Sequence, residues 1–415
     1  MKAKQLVVVL AVFLAAVCLL LGGTLRHPQQ GFQGLDARRL ATQTFSHRSL
    51  AVSGARTHSQ IKPTPLPNVS FDPGGRDSLV FIHIQKTGGS DFLRHLVTVE
   101  RDHHPLCLPE SAASSTPIKR KKERSLCPRP GTAESATRPR DWWPWLISEK
   151  TLGWYCGLHP FYSEYKSCIA LENSLPERNR KFDPTANFHY STMLRHPVVR
   201  YISEYLHIQR GATFSYRHIC NGKKVRNSEM PPCYPGYYDR ETWHNVTLSA
   251  FLSCESNWAN NRQTFSVADL ETVHCFNQKA LPRGEREQRL LESAKQNLMR
   301  FSFFGITEYQ AESAALFEKT FGLKFGQGLE QKPVGSLNSA PMLNSVWNTE
   351  SAYSRIAAAN HLDMQLYNFA LELFAARLLA IGIEIDLDSI TKEVQLLPSD
   401  GDAFKRKRFQ KQLRG

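Results

Sequence analysis

The stretch Leu79 to Ile84, LVFIHI, constrains the fold of this chain more than any other. It is short, bulky and largely apolar, and reads as a buried strand. Polarity then returns abruptly in Gln85-Lys86-Thr87-Gly88-Gly89-Ser90, and the pattern over 91–100 is helical. The same order recurs downstream. Asn187 to Leu194 reads as a strand, Arg195 closes it, and Pro197 opens a helix running to Gln209, at the first-turn position that proline favours. Leu290 to Met299 is helical, Phe301 to Ile306 is a strand, and Glu312 to Phe321 and Glu350 to Leu379 are amphipathic helices. Strands alternating with helices predict an α/β fold: one large domain with a central, parallel, doubly wound sheet flanked by helices. No internal repeat is present. With 415 residues, 41% of them hydrophobic, the chain can bury a sizeable core around that sheet.

The N-terminus carries a different signal. Leu6 to Leu21 is apolar without a break and follows Lys2 and Lys4. With Gly22 and Gly23 it nears the roughly 17–25 residues needed to span a bilayer. The flanking lysines favour a cytoplasmic N-terminus. We therefore expect a cytoplasmic tail (1–5), a type II transmembrane signal anchor (6–23), a lumenal stem rich in Gln, Arg, Ser, Thr and Pro (24–75), the folded domain (76–385) and a basic tail (386–415). A cleaved signal peptide is the rival reading. Either sends the chain into the secretory pathway. Cys18 lies in the apolar run, and the other cysteines form an even set in an oxidising compartment. No CxxC pair appears, so disulfides are expected rather than zinc, with connectivity left open. Asn68-Val-Ser and Asn245-Val-Thr are glycosylation acceptors. The formal net charge of +14 suits a polyanionic partner. A lumenal address makes nucleic acid a poor candidate and an acidic glycan a better one.

The glycine-bearing turn follows a strand and opens a helix. Helix N-termini offer unpaired N–H groups and partial positive charge, so they bind anions. Lys86 adds a cation. The stretch reads as a phosphate or phosphosulfate cradle, or, more plainly, as an ordinary strand-to-helix turn. It is not the GxxxxGK[ST] loop, because the lysine precedes the glycines. Arg195 at the second strand end can grip a phosphate through two nitrogens. Ser203, about two turns into the following helix, could donate to the same group. Two anion sites at two strand ends imply one ligand with phosphate at both ends.

HIQKTGGS, CGLH, LRHPVVRYISEYLHIQRGATF, NWANNRQ, LLESAKQNL, FFGITEYQ and HLDMQLYNFA occur in this order between about residues 78 and 379. Together they resemble the heparan sulfate 6-O-sulfotransferases. The resemblance implies a nucleotide-kinase-like fold, 3′-phosphoadenosine 5′-phosphosulfate (PAPS) as sulfuryl donor, no metal, and a Golgi membrane location with the catalytic domain in the lumen. It assigns His83, Ile84, Gln85, Lys86, Thr87, Gly88, Gly89 and Ser90 to the donor's 5′ end, with His83 read as packing on the strand. Arg195 and Ser203 would hold the 3′-phosphate, and Glu330, Gln331 and Lys332 a late nucleotide loop. His159, in Gly153-Trp154-Tyr155-Cys156-Gly157-Leu158-His159, would be the general base, and Lys86 would stabilise the departing phosphate oxygen. Lys121, Lys122, Trp154, His159, His207 and Arg210 would bind heparan sulfate. The pair Lys121-Lys122 lies in a polar, basic insertion (108–141) that is longer than is usual in the family. Two further departures stand out. Ser148-Glu149-Lys150-Thr151 falls where relatives carry a basic residue, and His196 falls where an aspartate is usual.

Three other functions fit some of these features. One is a heparin-binding protein that keeps the fold without turnover; Lys86, His159, Arg195 and Ser203 together argue against it, since polyanion binding needs no base. A kinase or NTPase conflicts with the order of loop residues and the lumenal address. A sulfotransferase for another glycan position is separated from position 6 only by the family motifs.

Overall fold

The computed structural model describes residues 62–109, 125–127, 144–152, 155–157, 159–176, 185–212, 218–225, 229, 233, 243–326, 328–329, 340–347 and 349–387. Its centre is a sheet of four parallel strands: β1 (Asp77–Ile82), β2 (Leu146–Ile147), β3 (Asn187–Leu194) and β4 (Phe303–Ile306), in spatial order β4-β3-β1-β2. The long pairing is β1 with β3, from Asp77 opposite Asn187 to Ile82 opposite Thr192. Leu79 pairs with Leu146 on one flank, and Phe303 to Ile306 pair with Ser191 to Leu194 on the other. β1 is buried along its whole length, which is why its sequence is an unbroken bulky run rather than an alternating one.

Helices follow the strands, named here in chain order: α1 (Gly89–Leu96), α2 (Glu149–Leu152), α3 (Tyr162–Asn173), α4 (Pro197–Gln209), α5 (Arg262–Val267), α6 (Arg283–Arg300), α7 (Gln310–Phe321), α8 (Glu350–Ala359) and α9 (His361–Leu379). α1 seats on the sheet through Phe92. Its ring stacks on Phe81 and Phe303 at centroid separations of 5.6 Å each and meets Phe317 of α7 edge-on at 5.7 Å. These aromatic contacts fix the helix that starts at the glycine turn. Because all four strands are parallel, their C-terminal ends lie along one edge, where open α/β sheets hold ligands. Ile82, Ile147, Leu194 and Ile306 end there, and the chain continues into the loop with Lys86, into Glu149, into Arg195 and into Thr307.

Several sequence expectations shift. β1 ends at Ile82, so His83 and Ile84 leave the strand and open the loop. The helix expected over 91–100 starts at Gly89 and stops at Leu96, because Val99–Arg101 is taken into an antiparallel ladder with Lys324–Phe325 and His104–Pro105. The span from Glu350 to Leu379 is two helices. Asn360, fully buried, breaks it: its side chain donates to the Ile356 carbonyl at 2.9 Å and accepts from the Asn261 amide at 3.1 Å. The folded part also begins before residue 76. Phe71 is in the core, and the Thr64 amide donates to the Ala376 carbonyl at 3.0 Å. No helix among the described residues is long and apolar enough to cross a membrane, and the expected anchor at 6–23 lies outside them. The even cysteine set resolves into Cys107–Cys127, Cys156–Cys168, Cys220–Cys275 and Cys233–Cys254.

Phe92→Ala removes the ring that joins α1 to β1, β4 and α7. It should destabilise the fold by about 3–5 kcal/mol, read as a lower denaturant midpoint with an unchanged slope.

Candidate active site

The loop after β1 is built for close approach. Gly88 adopts φ +75°, and a Cβ there would sit 3.1 Å from Cγ2 of Thr307. A Cβ on Gly89 would fall 2.5 Å from Cδ2 of His83. Both positions therefore need glycine for packing inside the protein, apart from any approach to an anion. Thr87 is buried, and its hydroxyl turns inward to donate to the Ile84 carbonyl at 2.9 Å. Thr307 hydrogen-bonds the Thr87 and Leu194 carbonyls, joining the loop to the ends of β3 and β4. α1 starts without a side-chain cap. Its first N–H groups and the positive end of its dipole are thus presented at the loop.

Lys86 itself is left-handed, with φ 66°. A non-glycine residue rarely holds that conformation without support. The support is Arg195, whose Nη1 donates to the Lys86 carbonyl at 3.1 Å. Arg195 is in turn bracketed by Gln263, whose amide accepts from the Arg195 N–H at 2.8 Å and donates to its carbonyl at 2.9 Å. Burial and the charges of Arg195 and Arg210 push the Lys86 ammonium below its usual value, against the opposing pull of Glu204. Burial, Lys86 and Arg210 push His207 down as well. Ser203, His207 and Arg210 follow one another at i, i+4 and i+7, so they share a face of α4. The charges of Lys86 and Arg210 both act on His207. The result is a concentration of cations at the C-terminal edge of the sheet, a setting for an anionic ligand.

His159 precedes α3, and the Cys156–Cys168 disulfide ties its segment to that helix. Its Nδ1 lies 3.0 Å from the carbonyl oxygen of His83. A carbonyl only accepts, so Nδ1 carries the proton and Nε2 is left with its lone pair. Burial, reinforced by His83 and Arg262, pushes the His159 pKa down to about 3, so the ring is neutral. The His83 and His159 rings are 4.6 Å apart, and His83 Nε2 lies 3.3 Å from the Ser90 hydroxyl at the start of α1. His159 is thus two contacts from the cradle. His83 is buried as expected, but as part of the site: its other ring nitrogen, Nδ1, is 3.3 Å from Glu149.

The structure brings together His83, Lys86, Gly88, Gly89, Ser90, Arg195, His159, His207 and Arg210. Ile84 points into the core and offers only backbone. Lys121, Lys122, Trp154, Glu330, Gln331 and Lys332 lie outside the described residues. His196, where an aspartate was usual, is buried against Tyr367; its pKa is pushed down to about 3 by burial and Arg195, and its amide donates to Glu308 at 3.0 Å. Sequence reasoning missed Thr307 and noted Glu149 only as a departure and Gln263 only within NWANNRQ, because each reaches the site from a different strand end or helix. The amide-rich stretch NWANNRQ now has a role. Arg262 bonds Glu204 of α4 through Nε at 3.0 Å and Nη2 at 2.5 Å. Asn261 accepts from the amides of Leu362 and Asp363 that open α9. Asn68 and Asn245, the expected glycosylation acceptors, are both exposed.

The sulfotransferase family model matches residues 70–370. Heparan-sulfate 6-O-sulfotransferase 3 of Homo sapiens is 41% identical over 310 residues, 74% of this chain and 60% of that one. Heparan-sulfate 6-O-sulfotransferase 2 of Homo sapiens is 37% identical over 384 residues, covering 90% and 57%. Heparan-sulfate 6-O-sulfotransferase 1 of Homo sapiens is 41% identical over 313 residues, covering 75% and 68%. The chain thus spans 60% of the length of the first of these relatives and 57% of the second.

Glu204 lies buried between Arg200 and Arg262. Burial alone would raise its pKa, but the two guanidiniums hold it below the usual carboxylate value. Glu204→Gln should leave two buried cations uncompensated and cost about 3–5 kcal/mol, measured by chemical denaturation.

Proposed function

The chain belongs to the sulfotransferase family, among its heparan-sulfate 6-O-sulfotransferases, and we propose that it transfers a sulfuryl group from PAPS to the 6-hydroxyl of glucosamine in heparan sulfate. The observation that carries this reading is His159: its Nδ1–H is committed to the His83 carbonyl at the start of the loop, which leaves Nε2 as the proton acceptor.

The cradle fits the donor. It combines an uncapped helix start, a left-handed lysine and a group of cations from two strand ends and α4. PAPS supplies an activated sulfuryl group on a phosphate oxygen, so the protein's task is positioning, charge and one proton transfer. The α1 N–H groups and Lys86 would face the 5′ end, and Arg195 with Ser203 the 3′-phosphate. Nε2 of His159 would take the proton of the attacking 6-hydroxyl as its oxygen bonds to sulfur. Lys86 would stabilise the charge left on the phosphate oxygen as the sulfur–oxygen bond breaks. An arriving anion favours the charged form of Lys86, reversing the depression caused by Arg195 and Arg210. Lys121, Lys122, Trp154, His207 and Arg210 would hold the sugar chain. Glu330, Gln331 and Lys332 would close on the nucleotide.

We also place the protein in the Golgi membrane as a type II protein, through the apolar run at 6–23. Paired cysteines and two exposed glycosylation acceptors support an oxidising, lumenal setting for residues 62–387.

The test uses the full-length chain with sulfur-labelled PAPS and N-sulfated heparosan, followed by disaccharide analysis. Label on the glucosamine 6-hydroxyl is expected. Label on another position would remove the acceptor assignment and keep the donor site. Absence of label from folded, nucleotide-binding protein would favour a glycan-binding protein without turnover. His159→Ala should lower turnover by about 10²–10⁴-fold while nucleotide affinity, measured by calorimetry, stays within a factor of a few.

A further inference from the structure

Around the proposed base lies an arrangement that proton transfer by His159 alone does not require. His83, Glu149 and His159 each offer one ligand atom, and these atoms all lie within 4.8 Å of one another. They come from three separate places: the end of β1, the turn after β2 and the segment before α3.

The donor set has the features of a metal site. His159 donates Nδ1–H to a backbone carbonyl, so its Nε2 lone pair is available. His83 Nε2 faces the Ser90 hydroxyl at 3.3 Å. Its Nδ1 is buried and faces a Glu149 oxygen at 3.3 Å. Metal-bound histidines commonly commit the far ring nitrogen to a carbonyl or other polar oxygen, which fixes the tautomer and aims the lone pair. Both histidines here have that second contact. Two imidazoles and one glutamate form the ligand set of open zinc sites, at metal–ligand distances of about 2.0–2.2 Å. Such a set suits zinc-like ions better than calcium or magnesium, which take oxygen ligands. Glu149 is only partly buried, so an ion has access from its side.

We propose that His83, Glu149 and His159 bind one divalent transition-metal ion of the zinc class, which occupies the lone pair that His159 would use as a base. Occupancy would therefore suppress transfer reversibly. Binding stands on the geometry alone; suppression rests on the reading of His159 as base. Nothing in the sequence marks the triad, since its members are 66 and 10 residues apart in the chain and no short metal motif joins them.

The test is a titration of metal-free, full-length protein with Zn²⁺ against a chromophoric chelator of micromolar affinity. One equivalent should transfer to the protein. Glu149→Gln and His159→Asn should each weaken that binding at least tenfold. Zn²⁺ should raise the unfolding temperature of the parent protein and not of either variant, which also shows that the variants fold. Co²⁺ should give visible absorption typical of a low-coordinate site in the parent alone. No stoichiometric binding, or equal binding by parent and variants, overturns the proposal; the second result would place the ion elsewhere on the surface. Activity is read separately. Zn²⁺ that binds the triad and leaves transfer unchanged would uphold the site and remove His159 as base. Failure of transfer without zinc would strike the proposed function and leave the binding result intact.

Discussion

Glu204 holds the site together. It is buried on α4 between Arg200 of the same helix and Arg262 of α5. Charges removed from water are tolerated only when they are paired and hydrogen-bonded. Here one carboxylate takes both guanidiniums, and Arg200 also bonds the Ala259 carbonyl and Asn360. Asn360 and Asp363 accept from the amides of Asn261, Gln263 and Thr264 at the start of α5. The chain of contacts ends on Gln263, which grips the backbone of Arg195. Three helices are thereby locked to one strand end.

That lock explains how the loop after β1 keeps an unfavourable backbone. Arg195 supports the Lys86 carbonyl, and Thr307 supports Thr87. Left-handed Lys86 and Gly88 are held from two neighbouring strand ends. Preorganised donors cost little reorganisation when charge develops, which is where electrostatic catalysis gains most. His159 is fixed by the same loop from the other side, through the His83 carbonyl. One short segment therefore orders both the Lys86 loop and the His159 ring.

Much of the fold could be read from the sequence. Asn187–Leu194 and Pro197–Gln209 match the expected strand and helix at both ends. In each case a strong local signal agrees with the tertiary environment: a bulky run in a central strand, and a proline at the first turn. Errors fall where long-range contacts override local preference. Val99 to Arg101 follows a helical pattern but joins a ladder with Lys324–Phe325. Asn360 interrupts an apparently continuous helix because its side chain is needed to bond α5. His83 looked like a packing residue because a strand pattern says nothing of what lies beyond the strand's last hydrogen bond.

The sequence alone determined the chemistry available: a lysine and two glycines in the turn after one strand, an arginine after another, a histidine in a recognisable motif and an even set of cysteines. These are properties of residue type and short spacing, and they survive without coordinates. Only the tertiary structure decided which nitrogen of His159 is free, why Gly89 cannot carry a side chain, how the cysteines pair, and that Glu149 stands beside two histidines. Each of those depends on atoms from segments tens of residues apart meeting within a few ångströms. Parallel strands bring their C-terminal ends to one edge whatever the length of chain between them, and that convergence is written in no local stretch of the sequence.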